Sequence, residues 1–220
     1  MLARLRLQGV GPSEELGPVE LGEGVNLLTG DNGLGKSFLL DVAWWALTGA
    51  WPARPAWPRP GVASREPLIE AEVRGKTATA AVSAHYELAE ERWVLAKGRP
   101  PMPGLVLYFR VDGRFSLWDP AQHYWRRNRA RNVDHAERPE PLQLLPDELW
   151  NAVTSSDGRT LCRGLIEDWV TWQQTRSPEH DALCRVLDCL SPSEAEKLVP
   201  GPPMRVWLDD VRLHPTLNLP

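Results

Sequence analysis

The sequence predicts an α/β fold: a strand–loop–helix core, an inserted antiparallel β-subdomain and a C-terminal helical segment. Three observations carry that prediction. The run Gly30-Asp31-Asn32-Gly33-Leu34-Gly35-Lys36-Ser37 is a glycine-rich loop between a short apolar run and a longer apolar stretch free of proline. The dipeptide Asp112-Gly113 separates two strand-like runs, 105–111 and 114–118, which is the pattern of a tight hairpin. The last third is dense in apolar residues and carries helix starts such as Ser177-Pro178-Glu179, where proline occupies the first turn.

Taken in order, residues 1–50 form the core. Leu2-Ala3-Arg4-Leu5-Arg6-Leu7-Gln8 alternates as an antiparallel edge strand does. Gly24-Val25-Asn26-Leu27-Leu28-Thr29 is a short apolar strand entering the glycines, and 37–48 reads as a buried helix that Gly49 stops. Residues 51–67 are a proline-rich connector, with prolines at 52, 55, 58 and 60 that fix φ and remove hydrogen-bond donors. Residues 68–120 form the antiparallel β-subdomain, with strands over 68–73, 77–84 and 86–94 before the hairpin. Residues 121–147 are irregular and basic. There Arg126, Arg127, Arg129 and Arg131 stand beside Tyr124 and Trp125. This is either a phosphate contact with a stacking platform or a solvated loop paired with Asp134, Glu137 and Glu140. Residues 148–200 are a helical lobe, and 201–220 hold a short terminal strand.

The loop carries the chemistry. It fits G-x-x-x-x-G-K-[ST], the phosphate-binding pattern, and its flanks give the strand and helix which that pattern needs. Glycines let the backbone curl so that N–H groups converge on an anion, and the positive end of the helix points at the same place. The expected ligands are ATP and Mg²⁺. Gly30, Asp31, Asn32, Gly33, Leu34, Gly35, Lys36, Ser37 and Phe38 are the nucleotide-binding candidates. Lys36 is the catalytic candidate, neutralising charge on the terminal phosphoryl group, and Ser37 is the Mg²⁺ candidate.

The form of this loop, with Asn32 before Gly33 and Gly35 directly before Lys36, and with Asn26 in the preceding strand, resembles one branch of the P-loop NTPases. That branch is the ABC-type ATPases of the SMC, RecF and OLD kind. The resemblance is specific over about the first fifty residues and topological over the next seventy. It implies a P-loop NTPase core with a first strand near the nucleotide base and an antiparallel sheet inserted after the first helix. It also implies a helical lobe whose entrance carries a glutamine that senses Mg²⁺. Gln173 is the candidate, and Gln122 competes for the role.

Two C-terminal stretches imitate the rest of such a site. Leu190-Ser191-Pro192-Ser193-Glu194 resembles the ABC signature, and Arg205-Val206-Trp207-Leu208-Asp209-Asp210 resembles a Walker B strand. Pro192 and Ser193 stand where the signature needs glycine, and Pro200, Pro202 and Pro203 cut the helix that should follow. Only three apolar residues, 206–208, remain for a strand that should be buried mid-sheet. The parallel sheet is therefore expected to be incomplete in this chain, which reads as an N-terminal portion or one component of a split ATPase. Its expected partners are a second ATPase half or a homodimer partner, an effector protein, and nucleic acid reached through the complex.

Composition sets outer bounds. A net charge of −4 gives no global case for nucleic-acid binding by this chain alone. No apolar run is long enough to span a bilayer and no signal-peptide core is visible. The cysteines at 162, 184 and 189 lack metal-ligand spacing, consistent with reduced thiols in a cytoplasm. Two other functions fit less of the pattern. One is a nucleotide-gated scaffold that binds ATP and an effector without turnover. The other is a P-loop kinase, for which 126–131 is the available basic lid.

Overall fold

Alternation of apolar and charged side chains makes β1 (Leu2–Val10) a strand with two distinct faces. Leu5 and Leu7 are buried while Arg4, Arg6 and Gln8 point outward. The computed structural model describes residues 1–60, 66–75, 78–96, 103–120, 140–154, 157–190, 198–201, 205–208 and 211–212. Within them β1 joins β2 (Ser13–Glu20), β3 (Leu68–Arg74), β4 (Thr79–Glu87) and β5 (Arg92–Leu95) in a five-stranded sheet of order β2-β1-β3-β4-β5. Every pairing in it is antiparallel. β1 is thus not the edge strand its pattern suggested. The turn at Gly11-Pro12 folds residues 13–20 back onto it, and β2 takes the edge. β3 to β5 likewise continue this sheet rather than forming one of their own.

The outward face of the sheet is an ionic ladder. Arg4 lies 3.2 Å from Glu20 and 3.6 Å from Glu72, while Arg6 lies 2.9 Å from Glu15 and 3.1 Å from Glu70. Exposed pairs of this kind contribute about 0–1 kcal/mol each. Their larger effect is on register, because a one-residue slip would turn every arginine into the core.

The inward face buries α1 (Lys36–Thr48). This helix begins at Gly35, in the left-handed region at φ 88°, and ends at Gly49, also left-handed, whose N–H donates to the Trp45 carbonyl at 2.7 Å. Val42, Trp45 and Ala46 pack with Leu5, Leu7, Ile69 and Val73. Trp45 stacks on Trp51 with ring centroids 5.1 Å apart, and Trp93 closes the cluster at 6.3 Å. The proline-rich connector is extended, as its composition requires, but it is not a free surface loop. Pro52 and Ala56 are buried, and the Ala56 carbonyl accepts the Trp93 indole N–H at 2.8 Å.

The apolar run Gly24–Thr29 departs from the expected strand. It has no strand assignment, and Val25 and Leu27 are 98% and 83% exposed. A run apolar on both faces is built to lie inside a parallel sheet, and the five-stranded sheet of the described residues is antiparallel throughout.

Beyond this sheet, β6 (Val106–Phe109), β7 (Phe115–Trp118) and β8 (Leu142–Leu144) form a three-stranded sheet in that order. The Asp112-Gly113 turn predicted between the first two is present, with Gly113 at φ 78° and its N–H donating to the Arg110 carbonyl at 3.0 Å. The chain separates into two compact units, 1–108 with 116–143 and 109–115 with 144–220. In the second, α2 (Pro146–Asn151) precedes a short hairpin of β9 (Ala152–Thr154) and β10 (Thr160–Arg163), then α3 (Leu165–Thr175) and α4 (Pro178–Leu190). Its core is Ile166 and Trp169 packed with Trp150, Leu183 and Leu187. Within the segment expected to be a helical lobe, β10 claims 160–163, so α3 starts at Leu165. Gly164 then passes so close to α2 that a Cβ there would sit 2.1 Å from the Trp150 carbonyl oxygen.

The terminal segment is a meander. β11 (Leu198–Gly201), β12 (Arg205–Leu208) and β13 (Val211–Arg212) pair antiparallel in order. β12, the segment that imitates a Walker B strand, is therefore flanked by antiparallel neighbours rather than standing in a parallel sheet. Asp209, Asp210, the basic run 124–131, Gln122 and residues 191–194 lie outside the described residues. Among the described residues no helix is long and apolar enough to cross a membrane.

Candidate functional site

The site is built by the chain that leads into α1. Asn26 shapes the approach: its side-chain oxygen accepts the Gly22 N–H at 2.7 Å, and its amide donates to the Gly22 and Gly24 carbonyls, both at 3.1 Å. Three glycines then take positive φ, Gly30 at 143°, Gly33 at 86° and Gly35 at 88°. Side chains rarely adopt these angles, so the loop's curl depends on glycine at these positions. A Cβ on Gly33 would meet nothing within 4 Å, so its positive φ rather than crowding is what calls for glycine there.

Lys36 closes the loop. Its Nζ donates to the Gly30 carbonyl at 2.6 Å and the Asp31 carbonyl at 2.7 Å. An ammonium has three donors, so two hydrogen bonds fix its position while its charge stays available to a phosphate. The first N–H groups of α1 have no helical partner and point the same way. Ser37 is exposed at the helix start, Phe38 is half-buried, and Asp31, Asn32 and Leu34 are exposed along the loop. The predicted run Gly30 to Phe38 thus forms one continuous surface. Gln173 is in the last turn of α3, exposed, in the other unit.

A pocket of about 350 Å³ adjoins the loop, with Gly35 and Lys36 on one side and Leu7, Val10, Leu16 and Val19 on the other. Its wall is apolar both on the side of β1 and β2 and on the loop side, where Leu27, Leu28, Leu34, Phe38 and Leu39 contribute, and Lys36 is its charged member. A mostly apolar lining with one cation suits a ligand that carries an apolar group and a negative charge.

The turn between β1 and β2 supports the loop, which motif reading missed. A Cβ on Gly35 would lie 2.5 Å from Pro12 Cγ, and one on Gly11 would lie 2.3 Å from Phe38 Cε1. The available signal was Gly11-Pro12, a turn dipeptide, but nothing local says which segment a turn will touch. The variant Gly11→Ala is expected to lose about 1–3 kcal/mol, from strain at φ 78° and from displacing Phe38. Its nucleotide affinity should fall as well. Thermal unfolding together with a nucleotide titration of this variant checks both effects.

A glycine cradle, a lysine closing it, a helix N-terminus behind it and an apolar slot beside it define a P-loop nucleotide-binding domain. Residues 4–133 match the AAA domain family, and the chain belongs to that family. It carries an AAA-type P-loop ATPase-like domain, and nucleotide binding is the property this membership implies. Among curated proteins, none gives a significant match.

Proposed function

We propose that this chain is the ATP-binding module of an ABC-type ATPase of the SMC, RecF and OLD kind, acting in a DNA-linked or anti-phage defence complex. The observation that carries the reading is the closed loop itself, with Lys36 held on the Gly30 and Asp31 carbonyls and three glycines at positive φ. Gly30 to Phe38 would cradle the phosphates, Lys36 would stabilise charge on the terminal phosphoryl group, and Ser37 would hold Mg²⁺. Bound Mg²⁺ would neutralise phosphate charge. Gln173 is proposed as the Mg²⁺-sensing glutamine.

The exposed run Gly24–Thr29 supports a second component. An apolar segment with unpaired backbone in water is unfavourable, and strands laid along it would complete a parallel sheet around the loop. We assign that role to a second ATPase half or a second copy, which also brings the general base. In a second reading the chain is a nucleotide-gated scaffold that recruits an effector without turnover. The antiparallel setting of β12 favours it, because it removes the nearest Walker B candidate in this chain from a parallel sheet.

Sedimentation and steady-state phosphate release with and without Mg²⁺-ATP test the proposal. The expected outcome is ATP-dependent association with slow turnover by the isolated chain. Rapid hydrolysis by a stable monomer contradicts it.

A further inference from the structure

Helix α4 packs through Leu183 and Leu187, which lie against Ile166 and Trp169 of α3. His180 and Cys184 stand at the border of that face, one turn apart and both half-buried. Their side chains meet there. Cys184 Sγ lies 3.7 Å from His180 Nε2 and 3.9 Å from Nδ1, and the thiol is free of any disulfide. Asp181 Oδ1 lies 3.8 Å from His180 Nδ1. A carboxylate at that nitrogen favours a proton on Nδ1, which leaves the Nε2 lone pair for another partner.

The separation of the two donor atoms is informative. A tetrahedral metal about 2.0–2.1 Å from nitrogen and about 2.3 Å from sulfur holds them roughly 3.5 Å apart. Nε2 and Sγ already stand 3.7 Å apart, so little movement separates the observed contact from a chelate. As a hydrogen bond the same contact is weak, because a thiol is a poor donor. The spacing of the three cysteines alone argued against a metal. The histidine one turn before Cys184 supplies what that spacing leaves out.

We propose that His180 Nε2 and Cys184 Sγ form a bidentate site for a borderline-soft divalent cation such as Zn²⁺. Imidazole and thiolate together select this class over Mg²⁺ or Ca²⁺, which take oxygen ligands. Binding releases the Cys184 proton to water and leaves a thiolate on the metal. Among the described residues no group of three metal-ligating side chains gathers at one place. Water therefore completes the coordination, and the cation is exchangeable rather than structural. The inference does not rest on the nucleotide-binding reading, since the loop belongs to the other unit.

The test titrates Co²⁺ into the reduced full chain, follows the thiolate-to-cobalt charge-transfer absorption, and then displaces the cobalt with Zn²⁺. Cys184→Ser, His180→Gln and Cys189→Ser are measured beside wild type, with the metal-free thermal midpoint of each. The expected result is one cobalt per chain, with affinity at least about tenfold weaker in Cys184→Ser and in His180→Gln at unchanged midpoints. Cys189→Ser should bind as wild type does. In the unmutated chain, Zn²⁺ should slow alkylation of Cys184, read by mass spectrometry of its peptide; this readout needs no variant to fold. A wild type without the charge-transfer band overturns the proposal, as does a band that persists in Cys184→Ser. Wild-type affinity in His180→Gln also overturns it, leaving a thiol that binds without the histidine. So does alkylation of Cys184 at the same rate with and without Zn²⁺, which marks the pair as a packing contact only.

Discussion

Replacing Lys36 with alanine is expected to abolish tight nucleotide binding and to leave the sheet folded. The ammonium makes two hydrogen bonds that close the loop, to the Gly30 and Asp31 carbonyls, and in the proposed complex it would stand against the phosphates. Alanine removes the closure and the counter-charge together. Truncating one partner of a hydrogen-bonded charge pair costs about 2–5 kcal/mol, so affinity should fall at least about thirtyfold. Lys36 is outside the cluster that fixes α1, which consists of Val42, Trp45 and Ala46 against the strands. The thermal midpoint should therefore stay within about 2 °C of wild type. Isothermal titration with ATP and a melting curve read the two effects separately. A large drop in midpoint would show that the loop is part of the structural core.

Trp45→Ala is expected to have the largest effect on stability. Trp45 is 5% exposed and lies between Trp51 and Trp93 on the inner face of the sheet. Removing an indole from such a site costs about 3–5 kcal/mol, through lost burial and the cavity left behind. For a unit of this size that lowers the midpoint by roughly 10 °C. The effect should spread to the connector, because Trp51 loses its stacking partner and Trp93 holds the Ala56 carbonyl. Below the midpoint the folded fraction should still bind nucleotide, since no atom of Trp45 lines the loop pocket. Trp45→Phe, which keeps an aromatic ring in the stack, should lose much less. Equal midpoints for Trp45→Ala and wild type would refute the packing account.

These two residues show what the sequence makes legible. Lys36 is readable because its role follows from a local pattern: glycines at fixed spacing, then a cation at the start of a helix. The α1 boundary at Gly49, the alternation in β1 and the Asp112-Gly113 hairpin are readable for the same reason, since the residues that decide each lie within a few positions of it. The edge strand β2 was not readable. Ser-Glu-Glu-Leu-Gly-Pro-Val-Glu has almost no apolar alternation, and it is a strand because Gly11-Pro12 turns it back onto β1. The hydrogen bond from the Arg59 side chain to the Pro12 carbonyl is harder still, since it joins residues 47 positions apart, and only the assembled sheet brings them together.

Gly24–Thr29 shows the opposite limit. Its composition is that of a buried strand, and the reading failed for want of a neighbour rather than through a wrong pattern. Val25 and Leu27 face outward because nothing among the described residues pairs with that segment. For Gln173 the pattern gave only a place in the order of elements, at the end of α3, and order alone does not bring a side chain to a metal.

The central claim is that Gly30 to Ser37 binds a nucleoside triphosphate. Calorimetric titration of Mg²⁺-ATP into the folded 220-residue chain, run in parallel with Lys36→Ala, tests it most directly. The account predicts saturable binding at one site per chain in the wild type and none detectable in the variant. A wild-type chain with a cooperative melt and no heat of ATP binding, or a Lys36→Ala variant that binds as tightly as wild type, contradicts it.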